Sequence, residues 1–289
     1  MLLRLRIRLP DRPGSLGQVA RTLGVTGADI VQMVVLERIG GRAIDDFTVI
    51  WPAAAPVDRI LAGLGAIPGV AIEGVWRSVG APALGGADAE LVGQVAANPT
   101  DGIATLVDAV PGLLSADWAA VLAVPADWAR VGEETSGPGE SLPTVVYASW
   151  RAPQPLRVPE VTPLRPRAFD GPNPVRAADG ANSVRAADGA NPVRAADGAK
   201  TVRYAAAPFG RAGLVLLAAR GSGAGTEAAL PAPRFHVTEI DRLAQLVRAS
   251  ALVLSPGLDQ LAARASGPPH RGVPWPVNAT GRLAAALDS

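Results

Sequence analysis

At 289 residues, 48% of them apolar, the chain can bury the core of one large or two modest domains; its formal net charge of +1 excludes a global field that would hold nucleic acid or an anionic membrane. It contains no cysteine, which excludes disulfides, thiolate nucleophiles and thiolate metal sites and suits a cytoplasmic setting. Arginines alternate at the N-terminus where a signal peptide needs an apolar run, and the longest aliphatic stretch, Leu214 to Ala219, is too short to span a bilayer.

Leu3, Leu5, Ile7 and Leu9 alternate with Arg4, Arg6 and Arg8, the period of a strand with one buried and one wetter face. Pro10 ends it. Leu16, Val19, Ala20 and Leu23 then share one face of a short helix, with Gly24 placed as its C-terminal cap. Ile30 to Leu36 and Ile44 to Trp51 are β-branched and aliphatic runs joined at Gly40 and Gly41, which predicts a hairpin. A second helix follows Pro56 through Val57, Ile60, Leu61 and Leu64, and Val70 to Trp76 is the last strand. The order βαββαβ predicts a split-βαβ, ferredoxin-like α+β sandwich with both helices on one face of an antiparallel sheet.

Residues 1–78, and above all Asp11, Arg12, Pro13, Gly14, Ser15 and Leu16 followed by Gly27, Ala28, Asp29 and Ile30, resemble an ACT domain, a small regulatory module of amino-acid metabolism. The resemblance implies that a small amino acid binds where the loop after the first strand meets the second strand, commonly across a pair of such domains. Carried over by position, Asp11, Arg12, Pro13, Gly14, Ser15 and Leu16 form the loop side, and Asp29, Ile30 and Gln32 the strand side. The chemistry is reasonable on its own terms. Exposed amides of Gly14, Ser15 and Leu16 at a helix N-terminus suit a carboxylate, and Asp11 and Asp29 suit an ammonium group. On the other reading Pro-Gly merely turns the chain, Ser15 or Asp11 caps the helix, and Asp29 opens a strand.

The second strand is expected at the sheet edge. Ile30 to Leu36 carries no proline or lysine, so pairing through it is expected, either of two copies into a homodimer or with a partner protein. Arg4, Arg6 and Arg8 are expected to form a charged open face partly balanced by Glu73, rather than an anion site.

Residues 79–87 are rich in glycine, alanine and proline and predict a linker. Beyond them come helical spacing from Glu90 to Leu114 with a break at Asn98 and Pro99, then strands at Trp118 to Val124, Leu142 to Trp150, Thr201 to Ala207 and Leu214 to Ala219. A long helix from about Phe235 to Leu254 closes the series. The stretches "LVDAVPGLLSADWAAVLAV", "AAAPFGRAGLVLLAAR" and "TEIDRLAQLVRASALVL" resemble a GAF domain over residues 88–255. Such a domain implies a sensor or dimerisation module. A nine-residue repeat, "VRAADGANS" and its copies, runs from Val175. With the proline-rich stretch before it, the repeat predicts a flexible insertion over about residues 153–200, and residues 256–289 predict a disordered tail with at most a short helix at Arg282 to Leu287.

Catalytic signals are few. His236 and Glu239 lie one helical turn apart, as metal ligands can, but no third ligand accompanies them, and His270 sits in the tail. "GSGAGT" at Gly221 to Thr226 lacks the spacing and the lysine of a phosphate cradle. No nucleophile elbow marks any serine. The sequence therefore predicts a non-enzymatic regulatory or sensor protein without cofactor or metal, taking an amino-acid ligand. The alternatives are a dimerising structural protein without ligand, or a regulatory subunit of a biosynthetic partner enzyme.

Overall fold

The computed structural model describes residues 1–78, 85–124, 143–156, 165–171, 202–210, 213–221 and 232–265. Residues 79–84 of the expected linker, the nine-residue repeats up to Thr201, most of the glycine-rich loop after Gly221, and His270 with the rest of residues 266–289 lie outside that description. The protein is α+β, with two antiparallel sheets.

The first unit runs β1 (Leu2–Pro10), α1 (Ser15–Thr26), β2 (Asp29–Ile39), β3 (Arg42–Ile50), α2 (Asp58–Gly65) and β4 (Ala71–Arg77), the order that periodicity predicts. Its strands lie β2-β3-β1-β4, with every neighbouring pair antiparallel. Leu3, Leu5 and Ile7 meet Phe47 and Val49 beneath Val19 and Leu23 of α1 and Ile60 and Leu64 of α2. Each such side chain taken fully from water contributes about 1.5–3 kcal/mol. Gly40 and Gly41 turn the hairpin with φ of 58° and 73°. Helix α1 runs past Gly24 and caps at Gly27, because Thr26 still buries its side chain and returns its hydroxyl to the Leu23 carbonyl at 2.8 Å. Strand β2 lies at the edge, as expected, with Val31, Val35 and Ile39 exposed.

The second unit runs α3 (Ala87–Ala97), α4 (Gly102–Leu114), β5 (Trp118–Ala123), β6 (Thr144–Ala148), β7 (Arg167–Gly171), β8 (Val202–Phe209), β9 (Leu214–Arg220) and α5 (Val237–Ala265). The strands lie β6-β5-β9-β8-β7. β5 and β9 are buried along their whole length, which is why they read as unbroken apolar runs rather than alternating ones. On one face, small residues such as Ala119, Ala205 and Ala218 let Leu106, Val110, Leu243 and Val247 of the helices pack closely. On the other, Trp118, Leu122, Tyr204 and Leu217 form a separate cluster.

Two expectations need correction. β7 lies within the span expected to be a flexible insertion; it pairs with β8, and Phe169 stacks on Tyr204 with ring centroids 5.2 Å apart. α5 continues past Leu254 into the residues expected to begin the tail, because Leu258 and Ala262 prolong the same buried stripe.

Candidate functional site

The turn after β1 is well formed. Gly14 takes a left-handed conformation with φ of 90° and opens α1 without a side-chain cap. The Asp11 amide donates to the Gly41 carbonyl at 2.9 Å, and the Ser15 amide to the Arg12 carbonyl at 3.2 Å, so one of the three amides expected to face a ligand is engaged within the turn. Arg12 and Pro13 are exposed, Leu16 is also exposed, and Ser15 is buried. The Asp11 carboxylate lies 3.7 Å from Arg38 Nε.

The strand-side residues do not join this turn within one chain. Asp29 is opposite Ile50, which is opposite Leu2, whereas Asp11 follows Pro10 at the far end of the same strand. About eight residues of strand, at roughly 3.3 Å each, separate the two carboxylates. Helix α1 carries the chain back along the sheet between them, so the expected niche with both aspartates at neighbouring loop ends is not assembled by a single copy. Ile30 is half-buried against the first core. Gln32 faces the opposite side of the sheet, where it lines a cleft.

That opposite side is covered by the second unit, which corrects the expectation of an open arginine row. Arg8 alone stays exposed, its Nε 3.6 Å from Glu73. Arg6 is buried because partners reach it from both units. It holds Asp46, directly across on β3, in a bidentate pair at 2.7 and 2.8 Å. It also donates to Glu239 Oε2 at 2.8 Å and to the Arg234 carbonyl at 2.7 Å. Arg220, the last residue of β9, donates to Glu239 Oε1 and the Leu114 carbonyl at 2.5 Å each, and to the Ser115 carbonyl at 3.1 Å. Its guanidinium carbon lies 4.0 Å from the Phe235 ring centroid and 4.8 Å from that of Trp76.

Ser115 is the hinge point of this arrangement. It ends α4 in a left-handed conformation with φ of 49°, and its carbonyl also accepts the Trp76 indole N–H at 3.0 Å. Arg4 donates from Nη1 to the Ser115 hydroxyl and lies 3.2 Å from Asp46 through Nη2. Arg242, paired bidentately with Asp88, donates to the Leu113 carbonyl at 2.8 Å. The negative end of the α4 dipole is thus covered by cations from β9 and α5.

Burial pushes the Glu239 carboxyl upward, but the guanidiniums of Arg220 and Arg6 outweigh it and hold the carboxyl at about 2. Burial would depress the Arg6 guanidinium, yet Asp46 and Glu239 raise it above its ordinary value. Arg4 is lowered, with burial prevailing over Asp46 and Glu239. The one-turn spacing of His236 and Glu239 serves helix capping. Glu239, in the first turn of α5, accepts the His236 backbone N–H at 2.8 Å, and the His236 ring faces Glu37 at 3.2 Å.

Beside this network lies a cleft of about 480 Å³, walled by β2 and β3 from the first unit and by the start of α3, the end of α4 and the first turn of α5 from the second. The alternation that puts Arg4 and Arg6 on one face of β1 does not reveal their partners. The adjacent Asp45 and Asp46 inside an otherwise aliphatic run, and Arg220 closing a fully buried strand, were the available signals.

No family model matches the chain, and no curated protein matches it. Among solved structures, the crystal structure of a formyltetrahydrofolate deformylase from Pseudomonas putida KT2440 is similar at 20% identity and a TM-score of 0.25, over 28% of this chain and 30% of that one. An unknown protein from Galdieria sulphuraria is similar at 17% identity and a TM-score of 0.24, over 43% of this chain and 72% of that one. The chain spans less than a third of the deformylase's length. Among the described residues, no helix is long and apolar enough to cross a membrane.

Proposed function

We propose that the chain is a non-catalytic regulatory protein that binds a small amino acid, in which an ACT-like, ferredoxin-like unit is coupled to a GAF-like unit. The βαββαβ order with antiparallel strands β2-β3-β1-β4 supports the first part of this reading, and a helix pair, five antiparallel strands and a closing helix support the second. The observation that carries the function is the cleft itself. Its volume of about 480 Å³ falls in the range of small-molecule sites, and both units supply its walls, so a ligand there has unequal affinity for different arrangements of the two. Glu239 stays ionised near neutral pH and is fully ion-paired, which suits binding better than proton transfer.

The cleft is a better seat than the turn after β1, because Asp11 and Asp29 meet only if two chains contribute one each. Pairing through the exposed edge of β2 would do this, and that edge also supports a second reading: a structural dimer without ligand. Thermal-shift screening of the full chain against the twenty amino acids separates the two readings, since a ligand that binds only the folded chain raises its stability by mass action. A rise with one or a few amino acids is expected, and it should persist in the Asp11→Ala, Asp29→Ala variant. A flat screen leaves the structural reading, and loss of the rise in that variant returns the site to the turn.

A further inference from the structure

Among the described residues, the five buried or largely buried charges beside the cleft do not balance: Arg4, Arg6 and Arg220 face Asp46 and Glu239, three cations against two anions. An uncompensated charge away from water is costly, so the location of the surplus matters. Arg6 has every nitrogen engaged and chelates both Asp46 oxygens. Arg220 has its Nη1 unpartnered, but it is shared between a carboxylate, two carbonyls and two aromatic faces. Arg4 is the poorly served member. Its contact with Asp46 is an ion pair to an oxygen Arg6 already uses, its Nε has no partner, and its one hydrogen bond runs from Nη1 to the Ser115 hydroxyl. Arg4 is also the cation of the three that lines the cleft.

The same walls carry the hydroxyls of Thr48 and Ser115 near this charge and the side chains of Val34, Leu36 and Leu113 elsewhere. The carboxylates that reach the cleft, Glu239 and Asp88, are both ion-paired to arginines, so their charge is already balanced and an ammonium group gains less there than an anion gains at Arg4. We infer that the cleft takes a monocarboxylate with an aliphatic tail, its anion supplying the missing negative charge at Arg4 and its tail lying on the apolar wall. One added negative charge neutralises the cluster, whereas a dianion overshoots it. The inference rests on the reading of the cleft as a ligand seat and narrows it: the carboxylate is the recognised end, and an α-amino group is optional. Leucine and its counterpart lacking the amino group, 4-methylpentanoate, share that chemistry.

The test is isothermal titration of the full chain, at constant ionic strength, with 4-methylpentanoate, leucine and the neutral 4-methylpentanamide. The expected result is binding of 4-methylpentanoate at least tenfold tighter than the amide, weakened at least tenfold by Arg4→Gln and unchanged by Arg8→Gln. Because Arg4→Gln alters a buried network, Val34→Trp serves as the second variant: it fills the cleft from a half-exposed strand position, leaves the charges in place, and should abolish binding. Equal binding of acid and amide, or carboxylate binding indifferent to both variants, overturns the inference, as does the absence of any carboxylate binding. Arg4-dependent binding of 4-methylpentanoate with none of leucine or the other amino acids keeps the inference and overturns the amino-acid reading. Amino-acid binding that persists in both variants, with no binding of 4-methylpentanoate, overturns the inference and keeps the amino-acid reading.

Discussion

At its middle, β1 is buried on both faces by opposite means. On one, Leu3, Leu5 and Ile7 enter an apolar core; on the other, Arg6 enters a junction where every nitrogen finds a charged or carbonyl oxygen. The apolar face is tolerant, because hydrophobic contact is non-directional and a swap of similar volume costs little. The charged face is exacting, because a guanidinium removed from water is stable only with its partners in place. The first face holds the unit together. The second specifies how the two units meet.

Breaking the pairs should therefore cost at least as much as opening a cavity. Arg6→Ala strands Asp46 and Glu239 and should lose about 3–5 kcal/mol of unfolding free energy, against about 2–5 kcal/mol for Leu5→Ala. The more telling difference lies in rescue. Leu5→Met should recover most of the loss in urea unfolding, whereas Arg6→Lys, which cannot make the bidentate pair, should recover little.

Acid sharpens the same contrast. Glu239 ionises at about 2 in the folded chain against an ordinary value of 4.5, so the folded state binds fewer protons than the unfolded one between these limits. Its stabilisation is complete above the upper limit and disappears as pH falls toward the lower, a loss on the order of 3 kcal/mol. Urea midpoints recorded across that interval should decline in the wild-type chain and decline less in Glu239→Gln, which starts from a lower plateau.

The smallest effect concerns Ser115. Ser115→Gly relieves a left-handed backbone that costs a side-chain-bearing residue about 1–2 kcal/mol, while both Ser115→Gly and Ser115→Ala remove the oxygen that accepts from Arg4. The glycine variant should therefore melt above the alanine variant, although both lose the same hydrogen bond.

Periodicity made the elements legible because each is decided by neighbours a few residues apart. Alternation marked β1, and the i, i+3, i+4 spacing marked α1, α2 and α4. β7 escaped because its five residues carry one large apolar side chain, Phe169, whose reason for being there is Tyr204, thirty-five positions on. The cleft was illegible for the same reason at larger scale: Arg6 and Glu239 are separated by 233 positions. Nothing near Arg6 in the chain announces the carboxylate that makes its burial tolerable. The placement of Asp29 was a topological matter, since β1 and β2 run the same way with α1 between them, and a motif read along the chain does not reveal that its two halves fall at opposite ends of a sheet.

The carbonyl of Ser115 receives the indole of β4 and the guanidinium of β9 together, so the end of α4 is knotted to both sheets by one oxygen. Whichever half loosened first would leave an ion marooned in the other, so a single shared transition is the outcome expected in calorimetry.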